Sequence, residues 1–149
     1  MPKEIFLVED DTSIGSLVEA VFIGNGSNVS WYTSGTDALK HFNYGKFDIC
    51  IFDLSLPDTD GIRLSRDIRE IDPKIPFLFI TANQEMQLKY QAFEAGCDDY
   101  VIKPFQIREL VLRVDAILRR VSGGHVAMPE FTDFSFDPNS RIITTKDKS

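Results

Sequence analysis

The sequence predicts an α/β fold in which a five-stranded parallel sheet is covered by helices on both faces. Short apolar segments alternate five times with amphipathic segments along the chain. The apolar segments are too uniformly apolar to keep one face in water, which is typical of parallel strands buried on both sides. With 149 residues, of which 43% are hydrophobic, the chain is long enough to build one such domain with a proper core.

Each predicted strand is a short apolar run that ends at polar residues or at a turn. The strands are predicted over residues 5–9, 29–32, 48–52, 76–81 and 99–102. The helices are predicted from about residue 12 and over residues 36–43, 62–71, 85–95 and 107–120. In the first helix, the apolar residues at helical spacing are Ile14, Leu17, Val18, Val21 and Phe22.

Charge and cysteine content exclude several classes of function. The net charge of −7 argues against nucleic-acid binding by this chain, because a duplex-binding module presents a basic face. Cys50 and Cys97 lack metal-ligand spacing and are interpreted as reduced thiols. No apolar run approaches the length of a membrane span and no secretory leader is evident, so we predict a cytoplasmic protein.

Polar side chains stand where four of the predicted strands end. Glu9 and Asp10 stand at the end of the first strand, Asp53 at the end of the third, Thr81 at the end of the fourth and Lys103 at the end of the fifth. In a doubly wound sheet, the ligand crevice lies beyond the carboxyl ends of the strands. If strands one, three and four are central, these acids, the hydroxyl and the ammonium group converge on one site.

Each of these residues has an ordinary explanation when it is taken alone. Asp10 or Asp11 can cap the first helix, and we expect at least one of them to do so. Taken together, clustered carboxylates repel each other unless a cation lies among them, and oxygen ligands suit Mg²⁺. A free oxygen of Asp53 can then attack a phosphoryl group, while Lys103 and Thr81 stabilise the phosphoryl oxygens.

Four motifs carry a resemblance to a known family: "LVEDD", "FDLSLPDTDG", "ITA" and "YVIKPF", in this order. With them the chain resembles a response-regulator receiver domain of two-component signalling, over residues 3 to about 120. The resemblance implies a flavodoxin-like (βα)5 fold with strand order 2-1-3-4-5. It also implies that Asp53 accepts a phosphoryl group from a sensor histidine kinase. The metal ligands that it implies for Mg²⁺ are Glu9, Asp10, Asp53 and the backbone carbonyl of Ser55.

The same resemblance assigns roles in signalling. It makes Thr81 the switch hydroxyl, Lys103 the phosphate-contacting lysine and Tyr100 the aromatic residue that turns inward with Thr81. Pro104 stands where the family has a cis peptide bond. The chain departs from the family pattern at Asp58, where glycine is usual, and this residue adds negative charge to the loop beside the site.

The resemblance is closest to the OmpR/PhoB subfamily, whose phosphorylated receivers form dimers through helix 4, strand 5 and helix 5. The charged pairs of that interface correspond here to Lys89 with Glu109, Asp99 with Arg113, and Asp98 with Arg120. Its apolar patch corresponds to Tyr90, Phe93 and Leu112. We therefore expect a homodimer on phosphorylation, joined by salt-sensitive pairs.

The predicted domain organisation is a receiver over 1–121, a linker over 122–130 and the truncated start of a winged-helix DNA-binding domain over 131–149. The predicted function is a phosphorylation-gated regulator of transcription that is not an enzyme, although it assists its own phosphorylation and dephosphorylation. DNA binding would belong to effector-domain residues outside this chain. The alternative is a stand-alone receiver that acts through protein partners.

Two enzyme alternatives fit the residues less well. A flavodoxin needs a hydroxyl- and glycine-rich phosphate loop after the first strand, where this chain has acids at 9–11. The phosphatases with an aspartate nucleophile carry a second Asp two residues further on, and Ser55 occupies that position here.

Overall fold

The structure is a computed structural model that describes residues 2–82 and 86–122. Within these residues, five strands alternate with five helices. In chain order they are β1 Glu4–Val8, α1 Thr12–Gly24, β2 Asn28–Tyr32, α2 Gly35–His41, β3 Ile49–Asp53, α3 Gly61–Ile71, β4 Phe77–Thr81, α4 Met86–Glu94, β5 Asp99–Ile102 and α5 Ile107–Val121. The predicted linker, apart from Ser122, and the predicted start of a second domain lie outside the described residues.

All five strands are parallel and follow the order β2-β1-β3-β4-β5, which confirms the predicted fold. Every residue of β3 and β4 is buried, whereas β2 at one edge is half-buried. From β1 the chain adds β2 on one side, and it then adds β3, β4 and β5 on the other side, so the strand order reverses between β1 and β3. Their carboxyl ends therefore flank the crevice in which such sheets bind ligands.

The two faces of the sheet carry different side chains because successive strand residues point in opposite directions. One face is largely aromatic, with Phe6, Phe52, Phe77 and Phe79 packed under α2 and α3. The other face is aliphatic, with side chains of β1, β3 and β4 packed under α1 and α5. The aliphatic strand residues are Ile5, Leu7, Ile49, Ile51, Leu78 and Ile80.

One predicted core position in α1 is wrong. Leu17 has the spacing of the buried face, but its side chain is 50% exposed. Gly15 is buried instead, because the ring of Trp31 from β2 lies against it. The buried side of α1 runs through Gly15, Val18 and Phe22 and leaves Leu17 outside it.

None of the helices in the described ranges, 2–82 and 86–122, is long and apolar enough to cross a membrane.

Candidate functional site

The site is built on the two central strands. Asp53 is the last residue of β3 and is 3% exposed, and Glu9 directly follows β1 and is fully buried. By strand alternation, both side chains continue the aliphatic rows of their strands, after Ile51 and Leu7. Neighbouring strands in register therefore bring these two carboxylates to the same end of the same face.

Lys103, which follows the edge strand β5, contacts both acids. Its Nζ atom lies 3.1 Å from Asp53 Oδ2 and 3.1 Å from Glu9 Oε1. The lysine follows β5, its backbone N–H donates to the carbonyl of Thr81, and its peptide bond to Pro104 is cis, as the resemblance implies. The structure thus brings together the three charged residues that the sequence placed at the ends of three different strands.

Burial shifts the proton equilibria of this cluster. Burial, together with the hydrogen bond to Asp53, raises the pKa of Glu9 to about 8. Partial burial alone would lower the pKa of Lys103, but hydrogen bonds with Asp53 and Glu9 outweigh burial and raise it. Lys103 is therefore charged at neutral pH, and a second cation near Glu9 would favour the ionised carboxylate.

Three acids are close enough to share one metal ion. Oxygen atoms of Glu9, Asp10 and Asp53 all lie within 4.8 Å of one another. Glu9 Oε1 is buried and accepts no hydrogen bond of good geometry from the described residues, although Lys103 Nζ is close to it. Carboxylate oxygens that include a buried, unsatisfied one are a donor set that fits a hard divalent cation.

The neighbouring acid, Asp11, has a structural role. It is the N-cap of α1, and its Oδ1 accepts hydrogen bonds from the N–H groups of Ser13 and Ile14. The expectation that at least one of the two aspartates caps this helix is confirmed. Asp10 is exposed and remains available to a ligand.

Thr81 and Tyr100 lie at the aromatic side of the sheet. Thr81 ends β4 and is 1% exposed, and Tyr100 in β5 is also buried. The ring centroid of Tyr100 lies 6.1 Å from that of Phe93, and Lys89 Nζ is 5.8 Å from the Tyr100 centroid. Tyr100 therefore lies between β4, the neighbouring strand that ends at Thr81, and the exposed side of α4.

The predicted dimer face has exposed apolar side chains. Tyr90 and Phe93 on α4 and Leu112 on α5 are 63%, 49% and 48% exposed. Lys89 on α4 and Arg120 on α5 are also exposed. These residues form what we call the α4–α5 face.

The acids beside this face already have partners within the chain. Arg113 Nη1 lies 2.9 Å from both carboxylate oxygens of Asp99, and Arg113 Nη2 lies 3.1 Å from Glu109 Oε2. Asp98 Oδ2 accepts the N–H of Phe77 and lies 3.9 Å from Arg69 Nη2. Pairing with a second chain would therefore exchange or extend contacts that exist in one chain.

Sequence reasoning missed two residues that hold the loops of the site. Trp31 donates its indole N–H to the backbone carbonyl of Glu9. Asp58 accepts hydrogen bonds from the N–H groups of Gly35 and Thr36 and from the Thr36 hydroxyl, at the start of α2. Its carboxylate therefore caps α2. The atypical residue at 58 was the only sequence feature that could have pointed to this contact.

A parallel sheet that gathers acids and one lysine at its carboxyl edge defines a protein of the receiver class. The chain belongs to the response regulator receiver domain family, whose model matches residues 5–115. The resemblance read from the four motifs is thereby confirmed.

Individual relatives agree with this assignment. The chain is 35% identical to the transcriptional regulatory protein RprY of Bacteroides fragilis over 97% of its own length and 62% of the relative's. It is 32% identical to the response regulator MprA of Mycolicibacterium vanbaalenii, over 99% of this chain and 66% of MprA. The chain thus spans less than two thirds of the length of these relatives.

Among solved structures, the chain is similar to the response regulator DrrB of Thermotoga maritima, described as an OmpR/PhoB homologue. The TM-score is 0.74 at 31% identity, over 81% of this chain and 54% of DrrB. The likeness agrees with the predicted subfamily.

Proposed function

We propose that this domain accepts a phosphoryl group on Asp53 from a sensor histidine kinase, with Mg²⁺ as cofactor, and thereby controls an effector domain that regulates transcription. The observation that carries the proposal is the position of Asp53. Its carboxylate is buried at the end of β3, 3.1 Å from Lys103 Nζ and within 4.8 Å of ligand oxygens of Glu9 and Asp10. A nucleophile held among one cation and two further acids suits transfer to an anionic group.

The two carboxylate oxygens of Asp53 are held differently. Oδ1 accepts the backbone N–H of Ser55 at 3.1 Å, and Oδ2 accepts from Lys103 Nζ. One oxygen attacks phosphorus, the new O–P bond forms, and the P–N bond to the kinase imidazole breaks with its electrons going to the nitrogen. The carboxylate is fixed before the reaction, so little reorganisation is needed.

The remaining residues stabilise the charge of the transferred group. Mg²⁺, held by Glu9, Asp10, Asp53 and the Ser55 carbonyl, would neutralise charge on the phosphoryl oxygens. Lys103 exchanges part of its interaction with Asp53 for one with a phosphoryl oxygen, and Thr81 donates its hydroxyl to another. Attack of water on phosphorus would later break the bond to Asp53, release inorganic phosphate and restore the carboxylate.

Movement of Thr81 toward the phosphoryl group would be relayed to the α4–α5 face through Tyr100. Tyr100 packs against Phe93, which belongs to that face. A second phosphorylated copy would then cover Tyr90, Phe93 and Leu112 and pair with the neighbouring charges. Binding of DNA by an effector domain beyond the receiver is supported by the transcriptional regulators among the relatives.

Intact-mass measurement with a small-molecule phosphodonor tests the proposal. We expect wild type to gain one phosphoryl group in the presence of Mg²⁺ and none in excess chelator. Asp53→Asn should gain none, while Asp115→Asn, which changes an exposed acid on α5, should behave as wild type. Equal phosphorylation of Asp53→Asn and wild type would refute Asp53 as the acceptor.

A further inference from the structure

Trp31 contacts the acidic segment from two directions. Its indole Nε1 donates to the backbone carbonyl of Glu9 at 2.9 Å. Its six-membered ring lies against Gly15 in the first turns of α1, where an added Cβ would come within 2.0 Å of Cζ2. One side chain of β2 therefore contacts the residue that begins the acidic segment and the helix that follows it.

Both backbone polar groups of Glu9 are bonded to β2. The N–H of Glu9 donates to the carbonyl of Tyr32 at 3.0 Å, and the carbonyl of Glu9 accepts from Trp31. The regular pairing of β1 with β2 ends at Val8 and Tyr32. The indole N–H thus supplies a hydrogen bond at the point where the chain leaves the sheet.

Asp10 lies between two fixed points as a result. Glu9 is held by β2 on one side, and Asp11 is held on the other side as the N-cap of α1, whose first turns Trp31 covers. A purely apolar side chain at position 31 could fill the same space against Gly15. It could not donate to the carbonyl of Glu9, so packing alone does not account for an indole here.

We propose that Trp31 is a positioning residue for the metal-binding acids, which holds Glu9 and Asp10 so that their carboxylates can share one divalent cation. The inference rests on the metal site of the proposed function, but it does not require that Asp53 be phosphorylated. Partners that orient metal ligands typically contribute about 10- to 100-fold in metal affinity. Loss of the indole N–H should therefore weaken cation binding while leaving the fold intact.

The test compares Trp31→Phe with Tyr32→Phe. Trp31→Phe keeps an aromatic side chain at this position and removes the N–H donor, and it also withdraws the outer ring atoms that lie against Gly15. Tyr32→Phe removes a hydroxyl from the next residue of the same strand, whose ring packs against Phe6 and His41 on the other face. Circular dichroism and thermal unfolding in chelator establish that both variants are folded.

Binding of Mn²⁺ is counted by electron paramagnetic resonance, and Mg²⁺ is added as competitor. We expect Trp31→Phe to weaken the affinity for both ions about tenfold and Tyr32→Phe to leave it unchanged. In phosphodonor assays, the Mg²⁺ concentration for half-maximal phosphorylation of Trp31→Phe should rise, with the rate at saturating Mg²⁺ preserved. A folded Trp31→Phe with wild-type affinity, or an equal loss in Tyr32→Phe, would overturn the inference.

The metal titration is independent of phosphorylation, so the two proposals can fail separately. If Trp31→Phe weakens metal binding and no variant is phosphorylated, the positioning role stands and the proposed acceptor is wrong. If wild type binds neither ion at millimolar concentration, the positioning role is wrong.

Discussion

At the carboxyl edge of the sheet, three charged side chains are withdrawn from water, whereas on the α4–α5 face three large apolar side chains are exposed to it. These residues are Glu9, Asp53 and Lys103, and Lys103 Nζ lies 3.1 Å from an oxygen of each carboxyl group. Tyr90, Phe93 and Leu112 are the exposed apolar residues. Both regions reverse the usual distribution of charge and hydrophobicity, and each reversal costs stability.

The two regions differ in what would relieve that cost. The charged cluster is compact and carries more acid than base, so a small cation relieves it. The apolar side chains lie on two helices and are spread over a surface, so another protein surface is needed to cover them. The comparison separates a site for small ions from a site for a macromolecule within one domain.

The largest effect is expected from Lys103→Met, which removes the cation from the buried cluster. The buried carboxyl groups of Asp53 and Glu9, of which Glu9 has a pKa raised to about 8, then lose their cationic partner. Breaking a buried ion pair costs up to about 3–5 kcal/mol in free energy of unfolding. Urea unfolding measures the loss. Mg²⁺ should restore part of it, and Lys74→Met, at an exposed lysine, should unfold like wild type. If the two variants lose equal stability, Lys103 is not the counter-charge that the distances indicate.

A smaller loss is expected from Gly15→Ala. The new methyl group would meet the Trp31 ring, and overpacking of this kind costs about 1–3 kcal/mol, more than the gain of up to about 1 kcal/mol in helix propensity. Gly24→Ala is the matched control, because a Cβ at Gly24 meets nothing within 4 Å. Thermal unfolding should show Gly15→Ala destabilised and Gly24→Ala neutral or stabilised; the reverse order would show that Trp31 does not pack tightly on α1.

Leu112→Ser should weaken association through the α4–α5 face and leave the phosphorylation site unchanged. The side chain is half exposed, so the free energy of unfolding should change by less than about 0.5 kcal/mol, and phosphorylation of Asp53 should be unaffected. Association of the phosphorylated domain, measured by sedimentation velocity, should weaken about tenfold because a buried apolar contact between copies is lost. Leu17→Ser removes an equally exposed leucine from α1 and should leave association intact. Equal association of Leu112→Ser and wild type would contradict the dimer face.

The smallest effect is expected at Asp58. The hydrogen bond from the Thr36 hydroxyl, with those from the N–H groups of Gly35 and Thr36, lowers the pKa of Asp58. A lowered pKa in the folded state contributes stability above the unfolded pKa, and this contribution is lost as the pH falls through the folded pKa. Asp58→Ala should therefore be slightly less stable than wild type at pH 7, with a difference that shrinks below about pH 4. A difference that grows toward low pH would contradict the capping role.

The sequence predicted the strands, their order by resemblance, and the convergence of Glu9, Asp10, Asp53 and Lys103. These follow from short-range patterns, because alternation along a strand and the position of its last residue decide which edge a side chain reaches. The same patterns placed Leu112 outward on α5, where the structure also has it.

The contacts that the sequence did not reveal join residues far apart in the chain. The indole of Trp31 and the carbonyl of Glu9 are 22 positions apart, and Asp58 is similarly distant from Gly35. Side-chain-to-backbone hydrogen bonds of this kind leave no hydrophobic period. Local periodicity therefore cannot reveal them.

The most direct test of the central claim is to locate the phosphoryl group in the wild-type chain. An acyl phosphate is reduced by borohydride, which converts the modified aspartate to homoserine, and tandem mass spectrometry then identifies the position. After incubation with Mg²⁺ and a phosphodonor, we predict homoserine at position 53 alone. Homoserine at Asp10 or at another acid, with Asp53 unmodified, would contradict the account.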